Sequence, residues 1–185
     1  MNRRPSLIVG ALIIVVVLAF LVGAQAVAAQ FAAGPEQPVG FTHVTHAGTL
    51  QLDCTFCHRN VDKGANASVP AVEQCMFCHK AVTGQGSEDP AKFGEIAKVR
   101  AAFESGNPID WIRVHRLPDT VRFVHSAHVK ALLKPGAPIQ SVCIQCHGNV
   151  PEMKQVAQIR PLKMGDCVAC HRQNNAPTDC TTCHK

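Results

Sequence analysis

Apolar positions are distributed unevenly along this chain. After Asn2-Arg3-Arg4-Pro5, residues Leu7–Ala24 run without one polar side chain. That stretch is about as long as a membrane-spanning helix requires, roughly 20 residues. Gln25–Gly40 is rich in Ala, Gly and Pro and reads as a linker. The best helical pattern beyond it covers 90–105. Asp89 and Pro90 suit its N-cap and first position. Phe93, Ile96, Arg100 and Phe103 fall near one face, and Gly106 follows as terminator. Prolines 118, 135, 138, 151, 161 and 177 cut the last third into short helices and turns. No alternating run is long enough for a strand. The expected class is mainly α with much irregular structure, behind one N-terminal transmembrane helix.

The basic flank of the apolar run predicts a cytoplasmic N-terminus and everything else on the outer side. A cleaved export signal is the competing reading, since Ala24-Gln25-Ala26 resembles a small-x-small cleavage site. The run exceeds a usual signal core, which favours a retained anchor over 1–29. Residues 30–40 are then linker and 41–185 the folded domain.

Cysteine changes the picture most. All ten cysteines fall in five pairs, each followed at once by His: Cys54-Thr-Phe-Cys57-His58, Cys75-Met-Phe-Cys78-His79, Cys143-Ile-Gln-Cys146-His147, Cys167-Val-Ala-Cys170-His171 and Cys180-Thr-Thr-Cys183-His184. This is the attachment pattern of c-type haem: two thiols form thioethers with the vinyl groups, and the adjacent His reaches the iron. Zinc ribbons use such pairs two at a time and do not require the His. A thioredoxin-like dithiol would sit in a βαβ context that is absent here. The expected cofactor is five covalently bound c-type haems, with His58, His79, His147, His171 and His184 as proximal ligands.

Ten His minus five leaves His43, His46, His115, His125 and His128, one distal ligand for each iron. Four of them occupy two copies of Phe-x-His-x-x-His, Phe41–His46 and Phe123–His128. In a short helix, residues three apart lie on nearby faces, so one segment can present two imidazoles to neighbouring haems. Two modules result, 41–79 with two sites and 123–185 with three, around a haem-free insert at 80–122. Met76, Met153 and Met164 compete as ligands but read better as packing residues. Phe41, Phe56, Phe77 and Phe123 read as packing against porphyrin faces.

With one Trp and no Tyr, the haems themselves are expected to supply the buried apolar bulk. The formal charge of +5, from 18 Lys+Arg and 13 Asp+Glu, suggests a polyanionic partner. Five ferric haems at about −1 each, counting ionised propionates, cancel it, so no nucleic-acid partner is expected. Two protein ligands on every iron leave no open position for a substrate, which argues against catalysis by this chain itself. A Cys-x-x-Cys-Lys attachment site is absent; Lys80 and Lys185 follow a His rather than replace it. An electron relay is therefore placed ahead of a stand-alone membrane quinol dehydrogenase, and a redox or gas sensor third.

The anchor, the paired sites, and Trp111…Val114-His115-x-Leu117-Pro118-Asp119…Phe123-x-His125-x-x-His128 together resemble the pentahaem cytochrome subunits of alternative complex III, a membrane-bound quinol:acceptor oxidoreductase. The single haem motifs are shared with small c3- and c7-type cytochromes and with cytochrome subunits of quinone-reducing complexes. What the resemblance implies is a set of partners. They are an iron–sulfur subunit similar to molybdopterin oxidoreductases, polytopic quinol-binding subunits, and often a monohaem cytochrome c. Electrons would leave for a periplasmic acceptor or a terminal oxidase.

Overall fold

The computed structural model describes the backbone of residues 4–32, 34–86 and 90–185, and the side chains of 9–23, 34–86 and 91–185. Two units make up the chain, Met1–Gly34 and Pro35–Lys185. The first is helix α1, Arg4–Ala32. At about 1.5 Å per residue its backbone extends roughly 43 Å. Its described side chains, Val9–Gly23, are apolar and almost all exposed. Among the described residues, no helix is long and apolar enough to cross a membrane. The side chains of Leu7, Ile8 and Ala24-Gln25-Ala26, on which the anchor and cleavage readings also rest, lie outside the described ones.

The second unit is built from short helices. In order they are a π-helical turn Val44–Thr49, α2 Cys54–Cys57, α3 Val72–His79, α4 Pro90–Ser105, α5 His125–Leu132, α6 Gln140–His147, a 3-10 turn Val150–Glu152, α7 Met164–Gln173 and α8 Cys180–Cys183. Among the described residues the extended backbone forms only one isolated antiparallel bridge, Val121 with His184. Helix α4 has the expected span, and Gly106 follows it at φ +70°. The expected N-cap Asp89 lies outside the described residues.

The protein core is thin. Buried apolar residues form two small clusters, Val39/Val72/Met76/Val99 and Val61/Val129/Val142, and no described side chain is fully buried. Ordering each residue costs about 1–2 kcal/mol of backbone entropy, so a core of this size is far too small for a unit running from Pro35 to Lys185. Another apolar body is required.

The packing departs from the helical-wheel expectation. On α4 the buried residue is Val99, with Ala102 beside it, while Phe93 and Phe103 stay exposed. Val99 packs there with Val39, Val72 and Met76. Arg100 donates through Nη1 to the carbonyls of His79 and Lys80, at 2.6 and 3.2 Å. It thereby satisfies two acceptors left over at the end of α3. The insert thus braces the second Cys-x-x-Cys-His unit. Residues 37–40, expected as free linker, are also packed. Gln37 exchanges two 2.9 Å hydrogen bonds with the backbone of Ile112, Val39 is buried, and the Gly40 N–H donates to the Glu95 carboxylate.

Met76 is 4 % exposed, pointing into the first cluster between the two cysteines of its unit. Met76→Ala is expected to cost about 2–4 kcal/mol with no change in haem-iron ligation. Denaturant unfolding and the visible spectrum of the haem-loaded protein measure the two effects.

Candidate haem-attachment sites

Each Cys-x-x-Cys-His unit occupies a helical turn, and acidic caps start three of them. Asp53 accepts from the N–H and hydroxyl of Thr55, at 2.7 and 2.5 Å, opening α2. Asp179 accepts from the Thr182 N–H at 3.1 Å and from the Thr181 and Thr182 hydroxyls at 2.8 and 2.7 Å, opening α8. Asp166 takes the Lys163 N–H at 2.9 Å on α7. Such caps supply partners for orphan N–H groups. Without them a four-residue helix has little reason to form. These three aspartates, each directly before the first cysteine of its unit, were legible as caps but not singled out as functional.

The histidines share one feature. The ring Nδ1 of six of them meets a backbone carbonyl: His46 with Thr42 at 2.9 Å, His58 with Ser68 at 2.6 Å, His79 with Val82 at 2.9 Å, His125 with Ala65 at 2.7 Å, His128 with Val124 at 2.8 Å and His171 with Pro177 at 2.5 Å. A carbonyl can only accept, so Nδ1 carries the proton and Nε2 keeps its lone pair. This is the arrangement by which proteins hold a ligating imidazole in one tautomer. Backbone is bent to achieve it: Ser68 sits at φ +64°, a conformation seldom used by non-glycine residues, and it is Ser68 whose carbonyl meets His58. No sequence pattern announces these carbonyls.

Ring separations show which residues face each other. His46 lies 6.1 Å from His79, His128 6.0 Å from His171 and His125 6.4 Å from His147, centre to centre. An iron bonded to two imidazoles at ~2.0 Å, with about 1.1 Å more from nitrogen to ring centre, separates the centres by ~6.2 Å. The residues fit haem iron between these pairs. His43 lies beside His58: burial first, then the His58 and His46 charges, push it down to about 4. Burial, then His115, His125 and His58, likewise lower His147 to about 4. Both imidazoles are therefore neutral at pH 7, the form that binds metal.

The two Phe-x-His-x-x-His segments repeat in space. Phe41 stacks on His46 at 4.4 Å and 24°, and Phe123 on His128 at 4.4 Å and 24°. Each Phe meets the other histidine of its motif edge-on, at 4.9 and 4.8 Å. These two rings pack on the imidazoles of their own motifs. Phe56 and Phe77 are exposed.

His115 is placed differently from the other spare histidines. Its ring meets His147 edge-on at 4.4 Å, and its Nε2 lies 3.3 Å from His147 Nδ1. It stands where a backbone carbonyl stands in the other cases. His184 is held through the Val121 bridge and a 2.7 Å bond from the Arg122 N–H to the Cys183 carbonyl; among the described residues no second imidazole meets its ring. Of the competing methionines, Met153 packs with Ile159 over Gly148, and Met164 is exposed.

Thiols of different units also approach one another. The Cys143 thiol holds Cys54 down to about 7, and Cys54 in turn raises Cys143. Burial raises Cys57, with Cys75 adding to it; burial likewise raises Cys146, with Cys170 contributing, and Cys167, with Cys183 contributing.

Residues 22–103 match the Class III cytochrome C family, and no curated protein matches the chain. The matched region holds His43, His46 and the first two Cys-x-x-Cys-His units. The match implies covalently bound c-type haem and electron transfer. The three later units lie beyond it.

Gly48 holds the first histidine turn against the 3-10 turn: a Cβ there would meet the Pro151 carbonyl oxygen at 2.6 Å. Gly48→Ala should cost about 1–3 kcal/mol, read as a lowered denaturation midpoint of the haem-loaded protein.

Proposed function

We propose that this chain is a membrane-anchored pentahaem electron-transfer subunit, of the ActA type, in an alternative complex III. Its α1 segment would be a single-pass anchor in the cytoplasmic membrane, with the haem domain on the periplasmic side. The carrying observation is the facing of three imidazole pairs near 6 Å, with Nδ1 bonded to a backbone carbonyl in every ring of these pairs but His147, whose Nδ1 meets His115. Bound c-type haem supplies a one-electron iron couple at each unit. The chain's own residues anchor it by paired thiols, present neutral Nε2 atoms from both sides, and fix each ring so that little rearranges when charge changes. His43, His46, His125 and His128 are assigned as distal ligands opposite His58, His79, His147 and His171. His115 is the remaining imidazole for the iron of His184. With every iron doubly ligated, quinol chemistry belongs to partner subunits: an iron–sulfur subunit, polytopic quinol-binding subunits and a monohaem cytochrome c.

A specific observation favours a second role for His115. With Nε2 of His147 on an iron, its Nδ1 proton would be donated across the 3.3 Å contact to His115 Nε2, which would make His147 a more basic ligand and lower the potential of its haem. The two roles separate in His115→Ala. Loss of a distal ligand converts one haem to high-spin; loss of the acceptor leaves all haems low-spin and raises one potential.

Replacing His43, His46, His125 or His128 by Ala should each convert one low-spin haem to high-spin in low-temperature electron paramagnetic resonance. Unchanged spectra in all four variants would exclude the ligand assignment. Mild-detergent purification should bring down the partner subunits with quinol:cytochrome c activity. A monodisperse, partnerless chain that oxidises quinol by itself would overturn the relay.

A further inference from the structure

We propose that the five attachment units stand in space as an unbranched row in the order second, first, third, fourth, fifth, so that electrons enter and leave the chain at the second and fifth units. The inference rests on the pentahaem reading above. It is drawn from contacts between units.

The second unit meets the first directly. Gln74, just before Cys75, donates its side-chain amide to the carbonyl of Phe56, which lies between Cys54 and Cys57. The turn Val44–Thr49, just after His43, carries His46 to His79.

The first unit meets the third along a broad front. The His125 and Ser126 N–H groups donate to the carbonyls of Ala65 and Gly64 at 3.1 and 3.0 Å, docking α5 on the loop after His58. Val61 packs with Val129 and Val142. A cleft between the two units is lined by Gly48, Asp53, Cys54, Pro138, Gln140 and Asn149.

The third and fourth units share α5, which presents His125 to His147 and His128 to His171. The fifth unit is joined to the fourth by the short loop whose Pro177 carbonyl holds His171. Cys78 and Cys180 at the two ends are exposed, as is Cys170 of the fourth unit. The row therefore does not follow chain order, because the second unit doubles back to the far side of the first.

Nuclear Overhauser contacts between haem protons in the fully reduced, diamagnetic holoprotein test this. Each haem is assigned by its contacts to the two residues between its own cysteines: Thr55-Phe56, Met76-Phe77, Ile144-Gln145, Val168-Ala169 or Thr181-Thr182. Expected are interhaem contacts second–first, first–third, third–fourth and fourth–fifth. A contact from the second haem to the third, fourth or fifth, or no contact between the first and third, would overturn the row while leaving the pentahaem reading intact. Intact mass showing fewer than five haems would overturn that reading and the row with it.

Discussion

The hydrogen bond from an imidazole Nδ1 to a backbone carbonyl is the interaction on which this fold turns. Made six times, it converts a flexible, tautomerically ambiguous side chain into a fixed donor with one free nitrogen. Much of the irregular backbone has this purpose. Ser68 adopts a left-handed conformation with its carbonyl on His58, and the loop after α7 brings Pro177 to His171. The elements are short because their task is to place carbonyls and rings. A long helix or a sheet would use those carbonyls for itself.

A second constraint follows from the first. A chain that spends its backbone on ring placement buries little of its own apolar surface, and two clusters of three or four side chains are what remains. Both clusters lie beside attachment units. One ties α3 to α4 and the first residues of the unit, and the other ties the loop after His58 to α5 and α6. Stability and site geometry are therefore coupled: weakening either cluster displaces the helices that carry the ligands.

Composition and spacing made much of this legible. Five Cys-x-x-Cys-His units, two copies of Phe-x-His-x-x-His and the helix at 90–105 could be read directly. Three features could not. Which carbonyl holds which ring depends on loop conformation, since any residue can offer a carbonyl. Which residue of α4 reaches α3 is not set by periodicity alone: Val99 does, while Phe93 and Phe103 stay exposed. The placement of His115 against His147 arises from tertiary contact over |i−j|=32; by count alone it was one more spare ligand. The stretch Trp111–His128 makes contacts with several parts of the fold. Trp111 packs on the first cluster, His115 meets His147, Val121 pairs with His184, and His125 and His128 face His147 and His171.

The most direct test is the intact mass of the chain isolated from a host that attaches c-type haem. Units three to five lie outside the matched family region, so their loading is the decisive point. The expected mass is that of the polypeptide plus five haems, with all ten cysteines consumed. A species carrying two haems, with Cys143, Cys146, Cys167, Cys170, Cys180 and Cys183 still open to thiol alkylation, would contradict it.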